Sequence, residues 1–256
     1  MLKPMKNWAL ITGASAGIGC ELSKLFAANG YNVVLVARDR IRLESLAAEL
    51  RTRYPIHARV LVQDLSQSGA AQKIFDELVD LPVTALVNNA GFGVFGLFSE
   101  NDLTRQTEMV QVNVTALMQL THLFLKPMLL RGSGRILNVA STAAFQPGPT
   151  VNVYYATKAF VYSFSYALAD ELDGSGVTVT TLCPGGTRTE FFDRAGHRPL
   201  NAAVLMDAAL VARIGYRGLM HGQRVVIPGL LNRIMAFISK RLPGWMTSPV
   251  VRRIHK

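Results

Sequence analysis

WALITGASAGIG, residues 8–19, joins a short apolar run to a turn with three glycines, at 13, 17 and 19. WALIT (8–12) is a continuous apolar, β-branched stretch, the pattern of a strand buried on both faces. From Gly17 to about residue 29 the pattern is helical. Glycines between a first strand and a first helix have a physical task. They permit a tight turn, let the backbone approach a pyrophosphate closely, and aim a helix N-terminus at negative charge. The spacing here is Gly-x3-Gly-x-Gly rather than the more familiar Gly-x-Gly-x2-Gly. Gly13, Ser15, Ala16, Gly17, Ile18 and Gly19 are therefore the expected lining of a dinucleotide's phosphates.

The same alternation continues along the chain. Further strands are expected at 32–37, 58–63, 84–89, 134–141, 177–183 and 224–228, with helices at about 17–29, 40–53, 68–80, 103–130 and 152–173. Strand and helix in repeated alternation read as an α/β, doubly wound parallel sheet of the Rossmann type. No linker or composition break interrupts residues 1–228, so one domain is expected there, followed by a basic extension over 229–256.

In such folds ligands lie outside the carboxyl ends of the strands. The second strand ends in Ala37-Arg38, where a dinucleotide fold that binds a free ribose 2′-hydroxyl has a carboxylate. A guanidinium there can pair with a 2′-phosphate in a forked geometry. This favours NADP(H) over NAD(H). Asp39, next door, would take the ribose if the register were one residue different. Asp64-Leu65 ends the third strand and is placed to meet an adenine edge. The fourth ends in NNAG (88–91): Asn89, Ala90 and Gly91 offer a strand tie and a small-residue turn that leaves room for a ligand.

The acid–base candidates are Asn113, Ser141, Tyr154 and Lys158. Ser141 ends the fifth strand. YYATK (154–158) puts two tyrosines four and three residues before Lys158, and both spacings share a helix face with the lysine. Geometry alone leaves Tyr154 and Tyr155 both open. Asn113 falls inside a long helical pattern, where asparagine is intrinsically disfavoured because its side chain competes for backbone hydrogen bonds.

Taken in order, TGASAGIG, NNAG, Asn113, Ser141, YYATK and PGGTRT resemble the short-chain dehydrogenase/reductase family, over about residues 6–228. The resemblance implies Tyr-x3-Lys with a serine about thirteen residues upstream, which selects Tyr154. It implies Tyr154 as general acid or base, and Lys158 lowering the phenol pKa and holding the nicotinamide ribose. Ser141 would steady the substrate oxygen, and Asn113 would hold a water that relays protons. It also implies that Pro184 and Gly185 border the nicotinamide, that Thr187 meets its carboxamide, and that Thr189 lies near the amide or phosphates. No metal is implied. Residues 190–206 would form the substrate loop, with Phe191, Phe192, His197 and Leu200 suggesting an apolar carbonyl or alcohol. A homodimer or homotetramer is the family's common state. The segment from Leu210 to Phe237 also resembles a bacterial-type branch whose members are described only as oxidoreductases.

Composition bounds the alternatives. Hydrophobic residues are 50% of the chain and charged residues 17%, which excludes a disordered protein. The two cysteines make no disulfide framework and no metal spacing. No targeting segment is expected, which reads as a cytoplasmic protein, at most peripheral to a membrane. The net charge of +10 invites a nucleic-acid reading, but nine of the 27 Lys and Arg lie after Leu210, with no Asp or Glu after Asp207. The excess belongs to the tail, so no nucleic-acid partner is expected. Within 230–242, Leu231, Ile234, Met235, Ile238 and Leu242 share one helical face, flanked by Arg233, Lys240 and Arg241, with Trp245 beyond. Residues 230–245 fit contact with an anionic membrane surface, or docking of that face on the enzyme as a lid or dimer element. A catalytically silent NADP(H)-binding regulator, or a membrane-surface protein, is the competing function.

Overall fold

The computed structural model describes residues 7–195 and 205–254. The first six strands are β1 (Trp8–Thr12), β2 (Asn32–Ala37), β3 (Ala58–Val62), β4 (Val83–Asn88), β5 (Gly134–Val139) and β6 (Val177–Leu182). β7 (Thr187–Arg188) and β8 (Met206–Asp207) pair only with each other, and β9 (Val225–Val226) completes the main sheet. That sheet is parallel, in the order β3-β2-β1-β4-β5-β6-β9. The centre of β2, VVLV, is wholly buried because helices cover both faces.

α1 (Gly17–Ala28), α2 (Arg40–Arg53) and α8 (Ala208–Met220) pack on one face through Leu22, Phe26, Leu43, Leu50, Val211 and Leu219. α3 (Ala70–Glu77), α5 (Leu117–Leu130) and α6 (Asn152–Glu171) pack on the other through Ile74, Leu120, Phe124 and Leu168. α4 (Leu103–Val110) leads into α5, and α7 (Phe191–Arg194) follows β7. The strand order reverses between β1 and β4, and a doubly wound sheet has its binding crevice at such a switch.

Three local features depart from the sequence reading. The expected single helix over 103–130 is two α-helices joined by a π-helical stretch, Gln111–Ala116. The wide turn lets Asn113, fully buried, reach backbone outside its own helix. α8 was not anticipated, because Gly215 and Gly218 weaken its helical pattern. Their role is close approach: a Cβ on Gly215 would stand 2.7 Å from Leu182 Cδ2, and one on Gly218 2.3 Å from Val226 Cγ2.

The third departure is the tail, which forms α9 (Leu230–Ser239) and α10 (Gly244–Ile254). Of the two placements open to its apolar face, docking on the enzyme or facing away from it, the structure has the face outward. α9 meets the body through Asn232, Ala236 and Ser239, one side of the helix at i, i+4 and i+7. Ala236 joins Leu117, Ala140, Phe145, Val161 and Cys183 in a small core at the upper rim of the sheet.

Candidate active site

The glycine turn is built as its spacing implies. Gly13 and Gly17 have φ of +66° and +56°, a region that costs other residues strain. A Cβ on Gly19 would meet Gly13 O at 2.3 Å, and one on Gly17 would meet Thr189 Cγ2 at 2.8 Å. The turn therefore lies directly under the segment after β6. Asn89 Nδ2 donates to Thr12 O at 2.9 Å and to Gly13 O at 3.3 Å, which ties the end of β4 to the start of the turn. The N–H groups of Asn89 and Ala90 both donate to Thr12 Oγ1. Ser15, Ala16 and Ile18 are partly buried around the same turn.

At the outer end of this crevice, Arg38 is exposed at the tip of β2. Asp39 is committed elsewhere: Oδ1 caps α2 by accepting from Arg42 N–H at 3.1 Å, and Oδ2 lies 3.3 Å from Arg42 Nε. The acidic alternative thus serves as a helix cap. Asp64 Oδ1 likewise accepts from Ser66 N–H at 3.0 Å, while Leu65 is buried. Arg42 was not singled out by the sequence. Its Nη1 reaches Glu190 Oε1 at 2.6 Å, across 148 residues, and so links α2 to the turn between β7 and α7. No local spacing signals such a contact.

The four acid–base candidates converge beyond the carboxyl ends of β4 and β5. The Tyr154 phenol lies beside the Ser141 hydroxyl, which favours its ionised form. Ser141 Oγ accepts from Ala143 N–H at 3.1 Å and lies 3.4 Å from Pro184 O. Burial pushes the Tyr154 phenol up to about 12, against the lowering effect of Ser141. Lys158 is buried, and Nζ donates to Val139 O at 2.9 Å, 5.7 Å from the centre of the Tyr154 ring. Burial lowers its ammonium to about 8. Asn113 accepts from Phe92 N–H at 3.1 Å and donates to Phe92 O at 2.9 Å and Thr157 Oγ1 at 3.1 Å. Its amide is therefore a clamp between the turn after β4 and α6.

Gly91 lies between these groups. A methyl there would stand 3.0 Å from Asn113 Oδ1 and 3.3 Å from Lys158 Nζ. A cradle that a single Cβ would fill, continuous with the positive-φ glycine turn and Thr189, fits a dinucleotide laid across the strand ends. Thr187 is buried, with Oγ1 donating to Gly185 O at 3.0 Å, and Thr189 Oγ1 accepts from Phe191 N–H at 3.2 Å. Pro184 is buried beside Ser141, and Gly185 faces Asn232 of α9.

Tyr154 and Tyr155 separate clearly. Tyr155 packs on Gly148, where a Cβ would stand 2.3 Å from its Cγ, and is hydrogen-bonded to Gln146. Tyr154 instead faces Gly93 and the Phe191 ring, 5.3 Å away. Phe192 stands edge-on to Phe191 at 5.5 Å. His197 and Leu200 lie outside the described residues. Among the described residues, no group of three or more His, Cys, Asp or Glu is placed to hold a metal.

Residues 7–199 match the short chain dehydrogenase family. The sulfoacetaldehyde reductase 2 of Chromohalobacter salexigens is 38% identical over 191 residues, 73% of this chain and 75% of that protein. A very-long-chain 3-oxoacyl-CoA reductase of Phaeosphaeria nodorum is 38% identical over 69% of this chain, and the match spans 53% of that longer protein. A solved short-chain dehydrogenase from Sphingobium yanoikuyae, in complex with NADPH, superposes with a TM-score of 0.85. It is 34% identical, over 94% of this chain and 95% of that one.

Proposed function

We propose that this chain, which belongs to the short chain dehydrogenase family, interconverts a carbonyl and an alcohol with NADP(H), Tyr154 moving the proton. The observation that carries this is the convergence of the Tyr154 phenol, the Ser141 hydroxyl and the buried Lys158 ammonium, which lies 5.7 Å from the Tyr154 ring. The NADPH held by the Sphingobium relative supports the cofactor, as do exposed Arg38 and an Asp39 occupied in capping α2. When bound, the nicotinamide supplies or accepts the hydride.

The chain's own residues supply the rest. Burial raises the Tyr154 phenol, so it rests protonated and holds the proton that carbonyl reduction needs. Ser141 Oγ stands beside it to steady charge developing on the substrate oxygen. Lys158 supplies positive charge that favours the phenolate once the proton has left. Asn113 holds Phe92 and α6 in register around these groups. Gly13, Ser15, Ala16, Gly17, Ile18 and Gly19 would cradle the phosphates and Arg38 the 2′-phosphate. Asp64 and Leu65 would border the adenine, with Asn89, Ala90, Gly91, Pro184, Gly185, Thr187 and Thr189 along the ribose and nicotinamide.

The relatives' named substrates differ widely, a sulfonated aldehyde and a long-chain acyl ketone. The Phe191–Phe192 wall next to Tyr154 favours an apolar carbonyl. We also propose a homodimer or homotetramer. The test is NADPH oxidation with a panel of ketones and aldehydes. Tyr154→Phe is expected to lower turnover about 10²–10⁴-fold, the usual worth of a positioned general acid, with NADPH still bound. Tyr155→Phe retains substantial activity. An active Tyr154→Phe beside a dead Tyr155→Phe reverses the assignment.

A further inference from the structure

α9 is amphipathic the wrong way round for a helix that only covers its own protein. Its inward face is Asn232, Ala236 and Ser239, and it is fixed by polar contacts. Asn232 sits on Gly185, and Ser239 Oγ donates to Gln146 Oε1 at 2.7 Å. Just past the helix, Lys240 Nζ donates to Tyr162 OH at 2.6 Å. The outward face carries Leu230, Leu231, Ile234, Met235, Phe237 and Ile238, with Leu230 73%, Leu231 60% and Phe237 58% exposed. α10 repeats the arrangement: Thr247 and Val251 face in, while Met246, Val250 and Trp245, at 76% exposure, face out. Contiguous apolar exposure on this scale marks an interaction surface.

The charge around the patch identifies the partner. Arg233, Arg252 and Arg253 are exposed on the same two helices and Arg241 on the turn between them, and no Asp or Glu occurs after Asp207. A two-fold contact places the same patch on both partners, so two tails meeting face to face would bring arginines against arginines. An anionic phospholipid surface complements both features, accepting the apolar side chains and pairing with the cations. Among the described residues no helix is long and apolar enough to cross a membrane, so the tail lies on the surface.

We propose that α9 and α10 dock this enzyme on an anionic bilayer and that its apolar carbonyl substrate is taken from the lipid. The second clause rests on the carbonyl–alcohol reading. The inward residues of α9 touch the site's own wall: Asn232 meets Gly185, and Ser239 meets Gln146, which is bonded to Tyr155 next to Tyr154. Docking therefore places the substrate side of the site by the membrane.

The experiment sediments the full chain with vesicles of phosphatidylcholine alone, or of phosphatidylcholine with phosphatidylglycerol. Binding is expected only with the anionic vesicles, and it is lost at 1 M salt, where the screening length falls to about 3 Å. Trp245 emission shifts to the blue on binding, a signal absent from Trp245→Phe, in which Trp8 remains. Arg252→Gln and Arg253→Gln each lower the partition coefficient about fivefold, equivalent to about 1 kcal/mol per charge. Ile234→Ser with Phe237→Ser abolishes binding and removes any vesicle stimulation of a long-chain ketone, while turnover of a short water-soluble ketone is unchanged.

Failure to bind anionic vesicles at low salt overturns the proposal, as does binding that the tail variants leave intact. Light scattering in which Ile234→Ser with Phe237→Ser converts an oligomer to a monomer, with no vesicle effect, assigns the face to a second copy instead. Tyr154→Phe separates the two readings, since it leaves vesicle binding intact. Tail-dependent binding of a protein that turns over no carbonyl would retire the enzymatic reading and the lipid-borne substrate, leaving only the docking.

Discussion

Replacing Asn113 by alanine removes three hydrogen bonds at once. The side chain is fully buried, and two of its bonds, at 3.1 and 2.9 Å, hold the N–H and C=O of Phe92. The third, at 3.1 Å, reaches Thr157 Oγ1, which keeps its own donation to Tyr154 O at 2.7 Å. At about 1 kcal/mol net for each bond, the loss comes to about 3 kcal/mol. Thr157 remains partly satisfied and water can reach part of the Phe92 backbone, so a range of about 2–4 kcal/mol brackets the cost. For a domain of this size, 3 kcal/mol lowers Tm by about 6–12 °C.

Urea unfolding followed by circular dichroism measures this, with the m-value expected to stay constant. NADPH turnover is expected to fall as well, because the turn carrying Gly91 loses its tie to α6 beside Lys158. A loss below about 0.5 kcal/mol would refute the clamp. It would mean that water substitutes for all three bonds and that the π turn forms without Asn113.

Two further expectations concern the cofactor. Arg38→Asp removes a charge-assisted pair worth about 1.5–3 kcal/mol, so kcat/KM for NADPH relative to NADH is expected to fall about 10–150-fold; unchanged selectivity would move 2′-phosphate recognition to another group. Lys158 is held to about 8, so its ammonium is complete below pH 7 and lost as the pH rises through 8. Steady-state kinetics across pH are therefore expected to show kcat/KM for NADPH, which reports the free enzyme, falling above that point by up to tenfold per unit. A profile level to pH 10 would show that the charge on Lys158 does not govern cofactor capture.

What was legible in the sequence was local. WALIT and TGASAGIG mark a strand and a positive-φ turn because both requirements fall within twelve residues. NNAG could be placed at a strand end for the same reason, and the structure ties Asn89 to Thr12 and Gly13 there. The contacts that define the site's edges were hidden, because each joins distant segments. Glu190 meets Arg42 across 148 residues, and Asn113 meets Phe92 only because a helix widens by one residue per turn at that point. Helix α8 was obscured by Gly215 and Gly218, which read as breakers until β6 and β9 are packed against them.

The tail makes the limit sharper. Periodicity located the stripe of Leu231, Ile234, Met235 and Ile238, but a stripe does not say which way it faces. The body decides that, by what it offers to be covered. Around Gly185 and Gln146 it presents a close backbone approach and a polar amide, which call for small or polar partners. Asn232, Ala236 and Ser239 meet that demand, and one helix cannot turn both faces to the same surface. Seating the polar side on the wall of the active site leaves the apolar side outward. The orientation that seats Asn232 on Gly185 is therefore also the one that exposes the apolar face.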